Sequence, residues 1–170
     1  RAHNLTLRLA MDKGAEYVFL LNPDLRLETN CLQTMCLALQ QDSSAGSACP
    51  KLVRADEHLN PVEPRRLDST GMYMTPNIRH FDRGADELDT GQYDRDEYVF
   101  GGTGAALLLR RDAILDASFP PPLGQSDSLE LLDEVFFAYR EDADLAWRLQ
   151  RLGWKCRYIP KAIGYHERHV

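Results

Sequence analysis

The sequence predicts one α/β domain, with several antiparallel elements in its second half. Three observations carry this reading. Apolar residues recur at helical spacing in separate stretches of the chain. Short continuous runs of strand-forming residues alternate with them. The chain has 170 residues, 44% of them hydrophobic, which is enough to bury one core.

From Ala2 to Lys13 the residues Leu5, Leu9 and Ala10 define a helical stripe, with Leu7 off it and Gly14 as the stop. Glu16 to Leu21 is apolar and rich in strand formers, as a buried parallel strand would be. It ends at Asn22-Pro23-Asp24, because proline cannot donate to a strand ladder. Polar side chains are thereby delivered at the carboxyl end of a strand, where open α/β sheets bind ligands. Thr29 to Gln41 reads as a helix with Leu32, Met35, Cys36 and Leu39 on one face. Ser47 to Val53 reads as a strand interrupted by Pro50, and Arg54 to Arg66 as a surface excursion.

Ser69 to Thr75 has strand character, and the charged stretch from Asn77 to Glu97 reads as a mobile loop. Tyr98 to Arg110 is a strand-rich segment holding Gly101-Gly102-Thr103-Gly104, where glycines imply a bulge or a close backbone approach. Arg111 to Ala117 is a short helix. Phe119 to Gln125, with three consecutive prolines, is a rigid loop, and Leu129 to Phe137 a second helical piece. Glu141 to Leu152 is an amphipathic helix with Leu145, Leu149 and Leu152 inward, closed by Gly153. Lys155 to Ile159 is a strand stopped by Pro160, and Ile163 to His166 leads out of it.

Bulk properties exclude some function classes. The net charge of −6 lacks the basic bias of a nucleic-acid binder. No run approaches the length of a membrane span, and the opening Arg-Ala-His-Asn leads into helical periodicity instead of a secretory leader. Cys31, Cys36, Cys49 and Cys156 lack zinc-ligand spacing and read as reduced thiols of a cytosolic protein.

Four features could carry chemistry. Asn22-Pro23-Asp24 could place a metal-binding carboxylate, since a divalent ion on a diphosphate needs only one or two protein carboxylates; taken alone, the tripeptide is better explained as a turn that caps the strand. Glu141, Asp142 and Asp144 crowd the start of a helix. They suit either the helix dipole or a general base that takes the proton of an attacking hydroxyl. His166 gains meaning only beside Asp24, as a second ligand for Mg²⁺ or Mn²⁺. The glycine patch does not fit a phosphate loop and better suits a sugar approaching the backbone.

Together these pieces resemble the rhamnosyltransferase-like branch of family-2 glycosyltransferases. The likeness runs in order through Asn4, Leu20-Leu21-Asn22-Pro23-Asp24, Gly101-Gly102-Thr103-Gly104, Asp133 to Arg148, Gly153-Trp154, Tyr158-Ile159-Pro160 and His166. It covers nearly the whole chain and is most specific from Asp133 to Arg148.

The resemblance implies a GT-A-type mixed sheet flanked by helices, truncated at its N-terminus. Residues 1–53 would be the remainder of the nucleotide-sugar-binding half, and residues 54–170 the acceptor-side half. Asn4, Asn22 and Asp24 would contact the donor, with Asp24 and His166 on Mg²⁺ or Mn²⁺. Asn22 replaces the usual first acid of the family's metal motif and leaves the degree of metal dependence open. Asp142 would be the catalytic base, with Glu141 orienting acceptor or base. Gly102, Thr103, Gly104, Trp147 and Arg148 would line the acceptor side.

The implied reaction inverts the anomeric carbon in a single displacement. The implied partners are a nucleotide-sugar donor, leaning to dTDP-rhamnose with UDP- and GDP-sugars open, and a carbohydrate or lipid-linked saccharide acceptor. The location would be cytoplasmic, with room for peripheral contact at the inner membrane face. About seventy further residues are expected ahead of Arg1 by analogy with α/β domain sizes. Without them the chain is expected to be inactive alone, and to self-associate through a bared sheet edge. The competing readings are a non-catalytic module that holds carbohydrate or protein, and a nucleotidyltransferase. The Glu-Asp-Ala-Asp-Leu run at Glu141 argues against the last.

Overall fold

The computed structural model describes residues 2–120, 129–136 and 140–168. They form an α/β domain whose mixed seven-stranded sheet is flanked by helices. In chain order the elements are α1 (Ala2–Asp12), β1 (Tyr17–Leu21), β2 (Leu25–Leu27), α2 (Cys31–Gln41) and β3 (Ala45–Arg54). Then come β4 (Leu67–Ser69), β5 (Met72–Met74), β6 (His80–Asp82), β7 (Glu97–Val99) and β8 (Ala106–Arg110). The series closes with α3 (Arg111–Ala117), α4 (Glu141–Arg151) and β9 (Lys155–His166).

The sheet runs β1-β8-β3-β9-β2, with β4 on β3 and β7 on β9, while β5 and β6 form a separate hairpin. Among the described strands only the β3–β9 ladder is parallel; β1–β8, β3–β4, β3–β8, β2–β9 and β7–β9 are antiparallel. The sheet therefore draws strands from both residues 1–53 and residues 54–170. Its principal core joins α1, β8, α3, α4 and β9 through Leu7, Met11, Leu109, Ile114, Leu145 and Tyr158. A second cluster packs α2 onto the sheet through Cys31, Met35, Leu39, Leu108 and Ile159. The four thiols are free. Among the described residues no helix is long and apolar enough to cross a membrane.

Several sequence expectations are corrected. β1 is an edge strand paired antiparallel with β8, not a buried parallel strand, because a short apolar run does not encode its partner. α1 buries Asn4, Leu7 and Met11, leaving Leu5 and Leu9 exposed. In α2 Leu32 is exposed and Cys31 takes its place in the core, and Leu152, just past the end of α4, is exposed. Pro50 and Pro160 stop neither strand. They sit at a shared irregularity, where β9 slips register against β3 between Pro50 and Lys51.

The span from Ser69 to Thr75 breaks at Gly71, whose φ of 98° only glycine adopts easily. The charged stretch from Asn77 to Glu97 contains β6 and is pinned to the body. Lys51, buried in β3, pairs with Asp89 and Asp94, while Arg83 binds Glu97 at 2.7 Å. Residues 129–136 form a bridge to Phe119 and turns, not a helix. Most of the proline loop, and the end of that expected helix at Phe137, lie outside the described residues.

Candidate active site

The turn after β1 is held from both sides. The Asn22 N–H donates to the Ala105 carbonyl at 2.9 Å, tying the turn to the glycine segment. Beyond Pro23 the chain enters β2, which pairs with the end of β9 in a register that sets Leu25 opposite His166. Glu167 N–H donates to the Asp24 carbonyl at 3.1 Å. This pairing, not proximity in sequence, brings His166 Nε2 to 3.6 Å from Asp24 Oδ1.

His166 is buried, and its other ring nitrogen meets Asp68 Oδ2 at 2.7 Å. With Asp68 accepting from Nδ1–H, Nε2 is the nitrogen left facing Asp24. Asp68 is itself buried, with Arg168 at 3.3 Å and Arg54 at 3.7 Å from its other oxygen. Burial works to lower the His166 pKa, but the Asp68 hydrogen bond and the charges of Asp68 and Asp24 hold it above the ordinary histidine value.

Asp24 Oδ1 is buried without a hydrogen-bond partner. Such an atom is incomplete without a proton or a cation. Its 3.6 Å separation from His166 Nε2 can be spanned by two bonds of about 2.1 Å. Asp24 and His166 thus fit Mg²⁺ or Mn²⁺ as a two-ligand site, with Asp68 orienting the histidine. Among the described residues no group of three His, Cys, Asp or Glu is placed to hold a metal. The remaining positions would fall to phosphate and water oxygens.

The opposite wall is the start of α4. Asp142 Oδ2 accepts from Gly104 N–H at 3.1 Å, and Oδ1 accepts from its neighbour Ala143 N–H at 2.8 Å. One lone pair on each oxygen remains, so the carboxylate is fixed in orientation yet still able to accept a proton. Glu141 Oε2 is buried and unpartnered. The two walls enclose a cleft of about 430 Å³. Asn22, Asp24, Thr103, Gly104, Glu141, Asp142 and His166 all line it.

Four expected site residues lie elsewhere. Asn4 does not line the cleft: its side chain donates to the Leu132 carbonyl at 2.8 Å and accepts from Leu131 and Leu132 N–H at 3.1 and 3.0 Å. It fastens α1 to the segment ahead of α4, and no donor atom is left for a ligand in the cleft. Gly102 is buried in the core, where a β-carbon would stand 2.5 Å from Cys49 Cβ. Arg148 is spent on Asp144 at 2.8 Å and on the Ala117 and Leu131 carbonyls. Trp147 lines a neighbouring chamber of about 730 Å³.

The sequence reading missed Asp68, Asp82, Arg140 and Arg168. Arg168 NH2 binds Asp82 Oδ2 at 2.9 Å, and both line the cleft with Arg140. The only signal for Asp68 was an acid between strand-forming residues, which by itself looks like a surface strand. No known family model matches the chain, and no curated protein matches it.

Proposed function

We propose that the cleft transfers a sugar from a nucleotide diphosphate to an acceptor hydroxyl with inversion, on a GT-A-type domain. The observation that supports this best is convergence. Asp24 and His166 on one wall face Glu141 and Asp142 on the other across a single cleft of about 430 Å³.

In this reading the acceptor oxygen attacks the anomeric carbon from the side of α4. The new carbon–oxygen bond forms as the bond to the diphosphate breaks, and the diphosphate leaves with the electron pair. Asp142 takes the proton of the acceptor hydroxyl through a lone pair not used by Gly104 or Ala143. Glu141 Oε2 accepts a second acceptor hydroxyl. Asp24 and His166 would hold Mg²⁺ or Mn²⁺, which would supply positive charge to offset that of the leaving diphosphate. Arg140, which also lines the cleft, adds positive charge there, whereas Arg168 is neutralised by Asp68 and Asp82. The donor leans to dTDP-rhamnose, the acceptor to a surface saccharide, and the setting to the cytoplasmic face of a membrane.

The test is nucleoside diphosphate release from dTDP-, UDP- and GDP-sugars by the protein that carries this chain, with product anomeric configuration read by NMR. Asp142→Asn should lower turnover by about 10²–10⁴-fold while leaving the fold intact. Donor binding without turnover in both proteins would favour a carbohydrate-holding module instead.

A further inference from the structure

The β5–β6 hairpin contributes to the cleft, and its polarity is inverted. Successive side chains of a strand point to opposite faces. The register pairs Met72 with Asp82 and Met74 with His80 on one face, and Tyr73 with Phe81 on the other. Met72, His80 and Asp82 line the cleft. Tyr73 and Phe81 stack with ring centroids 5.5 Å apart, and remain 46% and 44% exposed. A hairpin that only covered a core would turn its aromatic residues inward and its acid to water. Here the acid and the histidine are turned to the cleft.

Asp82 is held firmly. The next residue, Arg83, donates through Nε and Nη2 to the Thr70 carbonyl at 3.1 and 2.9 Å, and its backbone N–H donates to the Gly71 carbonyl at 2.8 Å. Arg168 Nη2 fixes Asp82 Oδ2 at 2.9 Å. Asp82 Oδ1 is buried and has no hydrogen-bond partner. A buried acceptor left in this state is costly and calls for an explanation. Arg168 already balances the charge, so the missing partner is a neutral donor, not a second cation. Asp24, Glu141 and Asp82 are the cleft acids with such an oxygen. The proposed reaction uses the first two and leaves Asp82 without a part.

Arg168 also meets Asp68 at 3.3 Å, and Asp68 holds His166. Asp82 therefore belongs to the wall of the Asp24–His166 pair, across from Asp142, where a sugar attached to its diphosphate would lie. We infer that Asp82 is a specificity-determining residue: Oδ1 accepts a hydrogen bond from a hydroxyl of the transferred sugar that takes no part in the bond exchange. Arg168 orients the carboxylate for this contact. A site built to bond a hydroxyl rejects the analogue that lacks it, because the buried oxygen is again left unpaired. The inference rests on the glycosyl-transfer reading for the identity of the sugar as the donor's.

The test uses the full protein, the nucleotide-sugar that it binds most tightly, and the monodeoxy forms of that donor. In the parent, one monodeoxy form should lose about 10–100-fold in affinity and in kcat/KM. In Asp82→Asn the ratio between the two donors should shrink to about three-fold or less. That variant keeps an amide oxygen for Arg168, so the nucleoside diphosphate alone should bind it as it binds the parent in calorimetry. Phe81→Ala, on the other face of the same strand, should keep the parent's discrimination.

A parent indifferent to every monodeoxy form, or a ratio that survives in Asp82→Asn, would overturn the proposal. So would loss of nucleoside diphosphate affinity in Asp82→Asn, or loss of discrimination in Phe81→Ala, since Asp82 would then only support the metal pair or the hairpin. Calorimetric discrimination that depends on Asp82, in a protein without sugar transfer, would leave the sugar contact standing and remove the transferase reading. Turnover of all the deoxy donors alike would do the reverse, and binding of no nucleotide-sugar would remove both.

Discussion

Asp68→Asn tests whether the candidate metal pair depends on a residue that touches neither substrate nor metal. The replacement keeps the shape and an oxygen that can still accept from His166 Nδ1–H, but it removes the charge behind the 2.7 Å contact. A hydrogen bond to a charged group contributes about 1.5–3 kcal/mol. The two arginines beside Asp68 do not become orphans, since Arg54 keeps Asp86 at 2.7 Å and Arg168 keeps Asp82 at 2.9 Å. The stability loss should therefore be about 2–3 kcal/mol, below the 3–5 kcal/mol of stranding a buried charge. The functional effect should be larger in proportion. Without the anionic partner the ring loses basicity and orientation at Nε2, and Mn²⁺ affinity should fall by about 10–100-fold. Urea unfolding gives the first quantity, and Mn²⁺ titration followed by electron paramagnetic resonance gives the second. A folded Asp68→Asn protein with unchanged Mn²⁺ affinity would refute the view that Asp68 sets the histidine.

Three further outcomes are expected. Asn4→Ala should lower stability by about 2–4 kcal/mol in urea, because the N–H groups of Leu131 and Leu132 lose their acceptor; a change in donor affinity at unchanged stability would restore Asn4 to the site. Gly101→Ala should destabilise by about 1–3 kcal/mol and also lower turnover, since the new β-carbon collides with Ala146 Cβ on the helix that carries Asp142. Burial pushes the Asp42 pKa up, but hydrogen bonds from Tyr98 and Ser44 and the charge of Arg157 outweigh it and bring it down to about 2. A lowered carboxylate pKa contributes stability that is present above pH ~4 and lost as pH falls towards ~2. Acid titration of stability should show about 2 kcal/mol of this loss in the parent and none of it in Asp42→Asn.

The sequence revealed elements better than partners. Periodicity located the helices, with α3 matched at both ends, and the proline after Asn22 marked the strand end where the cleft lies. It misjudged which face of α1 is buried, because Asn4 looks polar and its four hydrogen bonds are invisible until residues 131–134 fold over it. It ended β9 at Pro160, since the register slip that accommodates the proline is a property of two strands together. At the site, Asp24, Glu141, Asp142 and His166 were legible as residue types in a familiar order. Asp68 was not, because nothing along the chain says that β4 will lie beside the end of β9. Trp147 and Arg148 are neighbours in sequence, yet helical geometry turns one to a chamber and the other to buried carbonyls.

The position of β9 also sets when the site can come into being. β2 and β7 have no sheet partner among the described strands except β9, and the only parallel ladder is the one β9 makes with β3. During synthesis, residues 25–27 and 97–99 wait with unpaired backbone until residues 155–166 emerge. Such non-local pairing is slow and leaves strand edges open to wrong partners. Asp24 therefore spends the life of the nascent chain without His166, and the two residues come together in the same step that completes the sheet. A ligand or ion that binds the pair would act on the final stage of folding, not on its nucleus.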